Sequence, residues 1–276
     1  KMKKVAIQGI RGSFHDEASR MYFGDEIMLV ECGSFKSALD TLAQGKADYC
    51  VMAIENSIAG SILSNFSLLS DYHFKAIGEV YLNIQLHLLA LEETEIGDVK
   101  NIMSHPMAIK QCADFLLKFP HAKILELYDT AECAKQVSEK KVADTVVIAN
   151  EESGKIYGLR TLYRNIETHK KNYTRFFVLA NENFKTDENN KASISFQVAD
   201  KPGALSKVLN VFNENSINLS RIQSVPIIGK PNEYRIHTDI EWEWSGNYRK
   251  AMADAIHLVS NLSILGEYKS GKIPNN

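Results

Sequence analysis

The sequence predicts an α/β protein of two lobes followed by a smaller α+β domain, and three features carry that prediction. From Val5 to Ala149, short apolar runs alternate with stretches of helical spacing, the strand–helix units that build parallel sheets. Two runs, Tyr49–Ile54 and Phe176–Leu179, are apolar without a break, as central strands covered on both faces are. Beyond a polar linker at Lys185–Lys191, strict alternation and helical stripes follow in the order βαββαβ, a ferredoxin-like arrangement.

The totals narrow the classes of function. A chain of 276 residues is long enough for two domains with a sizeable core. A net charge of −2 argues against a nucleic-acid partner, so any bound anion must be held by a local cluster. Cys32, Cys50, Cys112 and Cys133 form no CxxC pair, so neither a metal site nor a redox dithiol is expected. No run reaches transmembrane length and no cleavable leader is evident. The expected location is the cytoplasm, without a membrane partner.

The elements follow in order. Val5–Ile7 is a strand, and Gly9-Ile10-Arg11-Gly12-Ser13 turns into a helix over Phe14–Phe23. Such a turn aims backbone N–H groups and the positive end of the helix dipole at an anion, which makes Gly12 and Ser13 candidate substrate-positioning residues. A tight structural turn is the alternative. The lysine of a phosphate loop and the third glycine of a dinucleotide fingerprint are missing, so no nucleotide cofactor is expected. Ile27–Val30 is a second strand. Phe35, Ala38, Leu39 and Leu42 form one face of a helix stopped by Gly45. The strand Tyr49–Ile54 then ends in Glu55-Asn56-Ser57: a carboxylate, an amide and a hydroxyl at the edge where α/β sheets collect binding groups. A cap for a helix over Ile62–Leu69 competes as a role for Asn56 or Ser57.

Leu82–Leu89 leads into a second lobe. Asn101–Ser104 is a strand, and Pro106 suits the first position of a helix running through Lys118, with Ser104 near its N-cap. Gln111 shares a helix face with Met107 and Asp114. Lys123–Leu127, a helix over Thr130–Glu139 and the strand Thr145–Ala149 complete this lobe. The chain returns through Tyr163 and Arg164 to Asn172-Tyr173-Thr174-Arg175, at the mouth of the Phe176–Leu179 strand. Arg175 offers a rigid five-donor fork and Thr174 one mobile donor, a pair suited to an anion bearing a hydroxyl. This strand is expected to rejoin the first lobe and leave a cleft faced by Glu55, Asn56, Ser104, Gln111, Thr174 and Arg175. In the last domain Ile194, Phe196 and Val198 alternate, and Leu205, Val208, Leu209 and Phe212 form a stripe. Ile217–Val225 pairs through a hairpin at Gly229–Asn232 with a strand whose buried face runs from Tyr234 to Trp242 and Trp244. Tyr248–Val259 is helical and Ile264–Tyr268 is the last strand.

Glu55-Asn56-Ser57, Ser104-His105-Pro106 with Gln111-Cys112, and Asn172-Tyr173-Thr174-Arg175-Phe176, in that order, resemble the motifs of prephenate dehydratase. Pro202-Gly203-Ala204-Leu205 followed by Ile217-Asn218-Leu219 resembles its regulatory ACT domain. The resemblance covers essentially the whole chain. It implies a periplasmic-binding-protein-like (type II) catalytic domain over residues 2–184, with lobe 1 at about 2–80 plus 165–184 and lobe 2 at about 81–164, then an ACT domain over 191–270. It implies conversion of prephenate to phenylpyruvate, water and carbon dioxide without cofactor or metal. Thr174 is then the donor to the leaving hydroxyl, and Arg175 polarises it or clamps a carboxylate. Glu55, Asn56, Ser104 and Gln111 complete the site, and Ser57, His105 and Phe176 help position substrate. The ACT domain implies an L-phenylalanine pocket at Gly203, Ala204, Leu205, Asn218, Leu219, Gln223, Ser224 and Pro226, in a homodimer or homotetramer. The chorismate mutase helices of fused relatives are not expected ahead of the first lobe.

The sequence departs from the family pattern at Ile10, His15, Ala53 and Met107, none of them a position of the catalytic set. Gln223-Ser224-Val225-Pro226 stands where the family has Glu-Ser-Arg-Pro, which removes two charges and predicts different or weaker coupling of phenylalanine to activity. An arogenate or dual-specificity dehydratase is one rival reading. A non-catalytic small-anion sensor of the same fold is the other.

Overall fold

The computed structural model describes residues 2–182, 188–227 and 229–274; the first part of the expected linker, residues 185–187, lies outside them. The described chain gathers into two compact units, one from residues up to Gly60 together with Val80–Phe176, the other from Ser61–Glu79 and Phe177–Lys272.

The first sheet is begun by β1 (Lys3–Gln8), α1 (Phe14–Phe23), β2 (Ile27–Cys32), α2 (Phe35–Ala43), β3 (Tyr49–Asn56) and the short β4 (Gly60–Ser61). After α3 (Leu63–Leu69) comes β5 (Lys75–Asn83). The second lobe runs β6 (His87–Ala90), β7 (Asn101–Ser104), α4 (Pro106–Gln111), α5 (Ala113–Leu116), β8 (Lys123–Glu126), α6 (Thr130–Lys140), β9 (Thr145–Ala149), α7 (Glu151–Tyr157) and β10 (Arg160–Tyr163). The chain then recrosses to β11 (Tyr173–Ala180), which lies between β3 and β5 in a sheet ordered β2-β1-β3-β11-β5. The second sheet is ordered β10-β6-β9-β7-β8. Its β7, β8 and β9 are parallel, as strand–helix units require, whereas β6 and β10 run antiparallel to their neighbours. Cys50, Val51, Met52 and Ile54 in β3 are fully buried, which matches their unbroken apolar run.

Several boundaries differ from the sequence reading, each for a local reason. The strand expected over Leu82–Leu89 is two strands, β5 ending at Asn83 and β6 starting at His87. The helix expected through Lys118 breaks at Cys112, whose φ of −105° and ψ of 15° interrupt it between α4 and α5. Neither α7 nor β10 was expected; Asn150 caps α7 by accepting from Ser153 N, a signal that a single Asn before two Glu residues only hints at.

In the other unit, β12 (Lys191–Gln197), α8 (Ala204–Glu214), β13 (Asn218–Pro226), β14 (Tyr234–Glu241), α9 (Ser245–Ala255) and β15 (Ser260–Tyr268) give the expected βαββαβ order. The antiparallel sheet reads β13-β14-β12-β15. Ile194, Phe196, Val208, Phe212, Ile240 and Trp242 share its core, and Trp242 stacks on Tyr248 with ring centroids 3.9 Å apart. Trp244 does not continue that face: β14 stops at Glu241, and Trp244 is the exposed N-cap of α9. The segment Ser61–Glu79 packs within this unit. A Cβ on Gly266 would fall 2.0 Å from the Ala76 carbonyl oxygen, so only glycine allows β15 this approach. Lys191, 2% exposed, sits 3.0 Å from Glu79 and 3.1 Å from Glu241. Replacing Lys191 by Met leaves the fully buried Glu79 without its cation, which costs about 3–5 kcal/mol. Urea unfolding checks this, and an unchanged midpoint would show that the ion pair holds nothing.

Candidate active site

The end of β3 and the start of β11 lie side by side. Ser57 N donates to Tyr173 O at 2.8 Å, and Tyr173 N donates to Ser57 Oγ at 2.9 Å, a two-way staple that fixes the strands in register. Ser57 therefore holds backbone, and it also donates to Lys171 O at 3.3 Å. Side chains alternate across a strand, so neighbours in sequence leave on opposite faces. Asn56 and Thr174 meet on one face, and Glu55 and Arg175 pair on the other.

The Asn56 amide organises the first face. Its Oδ1 accepts from Ile58 N and Ala59 N, both at 3.0 Å, and from Gln111 Nε2 at 3.5 Å. Those donors can face only the oxygen, so the nitrogen points the other way. Nδ2 donates to Asn172 Oδ1 at 2.8 Å and to Thr174 Oγ1 at 3.0 Å. Asn172 Nδ2 closes the loop by donating to Gln111 Oε1 at 2.9 Å. Gln111 belongs to the second lobe, so this ring of amides spans the two lobes. Among the described residues, Thr174 Oγ1 accepts from Asn56 and no acceptor takes its own hydrogen. Asn172, fully buried, is the member to which the sequence reading gave no role; its place in the Asn172-Tyr173-Thr174-Arg175 motif, immediately before β11, is the available signal.

On the opposite face Arg175, 3% exposed, lies 3.5 Å from Glu55, with its guanidinium 5.8 Å from the centre of the Tyr81 ring. The pair cancels its own charge. Arg175 is thereby held in place between Glu55 and the Tyr81 ring.

Other expected site residues stand elsewhere. Ser104 is fully buried and donates to Ile148 O at 2.6 Å, which bolts β7 to β9 and keeps its hydroxyl off the amide ring. His105 is the N-cap of α4, its Nδ1 accepting from Met107 N at 3.1 Å, and burial lowers its pKa. Phe176 is buried and packs edge-on against His15 at 5.1 Å. The buried His15 ring is held neutral, its pKa lowered to about 3 by burial and then by His105, and its Nε2 accepts from Ala53 N at 3.3 Å.

The turn at Gly9–Ser13 is not an open anion cradle, because the chain's own carboxylates fill it. Ile10 N donates to Asp129, Arg11 N to Glu31 and Gly12 N to Asp16. Ser13 caps α1 by accepting from Asp16 N. The turn is a joint between lobes: Ser153 Oγ donates to Gly12 O at 2.9 Å and Tyr157 OH to Arg11 O at 2.6 Å. Gly12 has φ of +88°, and a Cβ there would press on Ile156 and Ser153, so glycine is required. Periodicity cannot show which acidic groups reach a turn.

In the other unit a cavity of about 750 Å³ is lined by Gly203, Ala204, Leu205 and Ser224 of the expected ligand set, with Asp200 and Tyr234. Asn218, Leu219, Gln223 and Pro226 belong to β13 but do not line it. Among the described residues no group of His, Cys, Asp and Glu is arranged to hold a metal ion, and no helix is long and apolar enough to cross a membrane.

Comparison with known proteins now places the chain. The prephenate dehydratase family profile matches residues 5–184, and the ACT domain profile matches residues 192–241. The chain belongs to the prephenate dehydratase family. A bifunctional chorismate mutase/prephenate dehydratase of Aquifex aeolicus is 33% identical over 96% of this chain and 73% of its own length. An arogenate dehydratase/prephenate dehydratase of Arabidopsis thaliana is 32% identical over 96% of this chain and 72% of its own. Among solved structures, a protein described as a novel type of quorum quenching acylase, GqqA, superposes with a TM-score of 0.85 at 25% identity, over 97% of this chain and 98% of that one. The prephenate dehydratase of Staphylococcus aureus superposes with a TM-score of 0.82 at 26% identity, over 96% and 100% of the two chains. The mixed α/β catalytic fold and the C-terminal ACT domain agree with the sequence reading.

Asp129 makes the joint between lobes pH-sensitive. Burial raises its carboxyl from 3.8 to about 6, against the opposing pull of amide donors led by Ile10. A carboxyl raised on folding favours the folded state most below its unfolded value, and that contribution is lost as pH rises through the folded one. Asp129→Asn keeps an acceptor but cannot titrate, so the urea midpoint of the wild type should fall relative to the variant between about pH 4 and pH 6. Parallel profiles across that window would contradict the assignment.

Proposed function

We propose that the chain catalyses the decarboxylating dehydration of prephenate to phenylpyruvate on the route to phenylalanine. Family membership supports the reaction class. The observation that carries the chemistry is the Thr174 hydroxyl, which accepts from Asn56 and keeps its hydrogen for a ligand. In the reaction the bond from ring carbon to carboxylate breaks, its electron pair enters the ring, and carbon dioxide departs. The ring carbon–oxygen bond breaks in turn, and the hydroxyl takes up a proton and leaves as water. Aromatisation drives both cleavages, so the protein has to orient the dianion and assist one leaving hydroxyl.

Thr174 gives that assistance as a preorganised donor, with the proton resupplied from water. Asn56, Asn172 and Gln111 hold it in place with neutral groups that do not repel a dianion. The paired Arg175 and Glu55 fix the strand from behind. Ser57 and Phe176 position the same segment, and Ser104 and His105 set the end of β7 and the start of α4. Among the described residues the Thr174 hydroxyl is hydrogen-bonded to an amide and to no base, an arrangement suited to donating a hydrogen rather than to nucleophilic attack on an acyl group. Residues 2–184 form the catalytic domain in this account, and residues 191–270 the regulatory one.

The cavity at Gly203, Ala204, Leu205 and Ser224 supports L-phenylalanine as the regulatory ligand. With Gln223 and Val225 in place of two charged residues, coupling to activity is weaker. The working form is a cytoplasmic homodimer or homotetramer. The dual name of the Arabidopsis relative leaves a second reading: arogenate, with an amino group in place of the keto group, as substrate. Turnover of the two substrates side by side decides between them, and prephenate binding without product would instead indicate a sensor.

Thr174→Ala should fold normally and lose prephenate turnover by about a hundredfold or more, the cost of one preorganised donor. Near-wild-type formation of phenylpyruvate by that variant would remove Thr174 from the mechanism. Phenylalanine should bind yet inhibit only weakly; strong inhibition at micromolar concentrations would show that the two missing charges are dispensable.

A further inference from the structure

The amide ring brings no net charge to the site, and Arg175 is already paired with Glu55. A substrate with two carboxylates therefore needs a cation from elsewhere. Beside the ring lies a cavity of about 280 Å³ lined by Ile58, Lys110, Gln111, Asp114, Thr168 and His169. Lys110 and Gln111 are adjacent on α4, Met107, Lys110 and Gln111 follow the i, i+3, i+4 spacing of one face of it, and Asp114 of α5 lines the same cavity. The opposite wall is the loop after β3 and the loop before β11. Gln111 belongs both to this cavity and to the hydrogen-bond ring of Asn56 and Asn172, so the cavity adjoins the ring that holds Thr174 and has Lys110 on its wall.

Among the described residues Lys110 has no acidic side chain within 4.0 Å, although Asp114 lines the same cavity. Lys170 is engaged instead, with Glu167 at 3.4 Å and with the carbonyl of that residue. A second cavity of about 490 Å³ shares Ile58, Thr168 and His169 with the first and adds Lys170 and Lys171, so positive charge flanks the approach.

Resting on the prephenate reading, we propose that Lys110 is a further substrate-binding residue: its ammonium group pairs with one carboxylate of the dianion while Thr174 addresses the ring hydroxyl. The contact forms in ground state and transition state alike, so it sets substrate affinity and leaves the chemical step untouched. Asp114 limits the effect by competing for the same cation.

The test is steady-state turnover of prephenate by the full chain as Lys110→Met and Lys110→Arg, at low and high salt. Lys110 is exposed, so both variants should fold as the wild type does. Lys110→Met should raise KM about tenfold with kcat within about twofold, since it removes uniform binding. It should also flatten the fall of kcat/KM with salt, because a cation near the cavity mouth attracts the dianion. Lys110→Arg should restore both. If the wild type turns over prephenate and Lys110→Met keeps its KM and salt dependence, or loses kcat instead, the assignment of Lys110 is wrong while the reaction stands. If the wild type forms no phenylpyruvate, the reaction reading fails and Lys110 falls with it.

Discussion

The arrangement depends on one side chain amide. Asn56 closes β3, takes three hydrogen bonds on its oxygen and gives two from its nitrogen, so both of its ends are fixed. A buried polar group that is fully satisfied is rigid, and each partner left unpaired would cost about 1–3 kcal/mol. That rigidity passes to Thr174, which is held by its oxygen with its hydrogen left over. The same amide reaches Gln111 in the second lobe and so ties Thr174 to the α4 side.

Alternation along two strands sorts the site. Asn56 and Thr174 face the crevice side, and Glu55 and Arg175 face the wall with Tyr81. The sequence reading treated Thr174 and Arg175 as a pair because they are consecutive. On a strand, consecutive residues cannot serve the same face. A guanidinium already matched by a carboxylate gives shape and charge balance where a lone one would bind the substrate outright. This shifts attention to cations outside the motif, such as Lys110, which lines a cavity together with Gln111 of the amide ring.

Most of the fold was legible because burial leaves a periodic trace. The apolar runs of β3 and β11 and the βαββαβ pattern of the last domain were readable for that reason. Trp244 misled because strand alternation continues in sequence past the point where β14 stops pairing. Asn56, Gln111 and Thr174 stand out as motif residues, yet their mutual bonds span separations of 55 and 118 residues that no local pattern reveals. Ser104 and Gly12 show the complementary limit. Each carries a group suited to binding, but Ile148 O takes the one and Asp16 fills the other. A motif shows which groups are present; only the three-dimensional partners show which are spent.

The most direct measurement compares phenylpyruvate formation by Thr174→Val, which keeps the shape and loses the hydroxyl, with that by Thr174→Ser, which keeps the hydroxyl. Thr174→Ser should stay within about tenfold of the wild type while Thr174→Val falls by about a hundredfold or more. Equal rates for the two variants would contradict a hydrogen donated by Thr174.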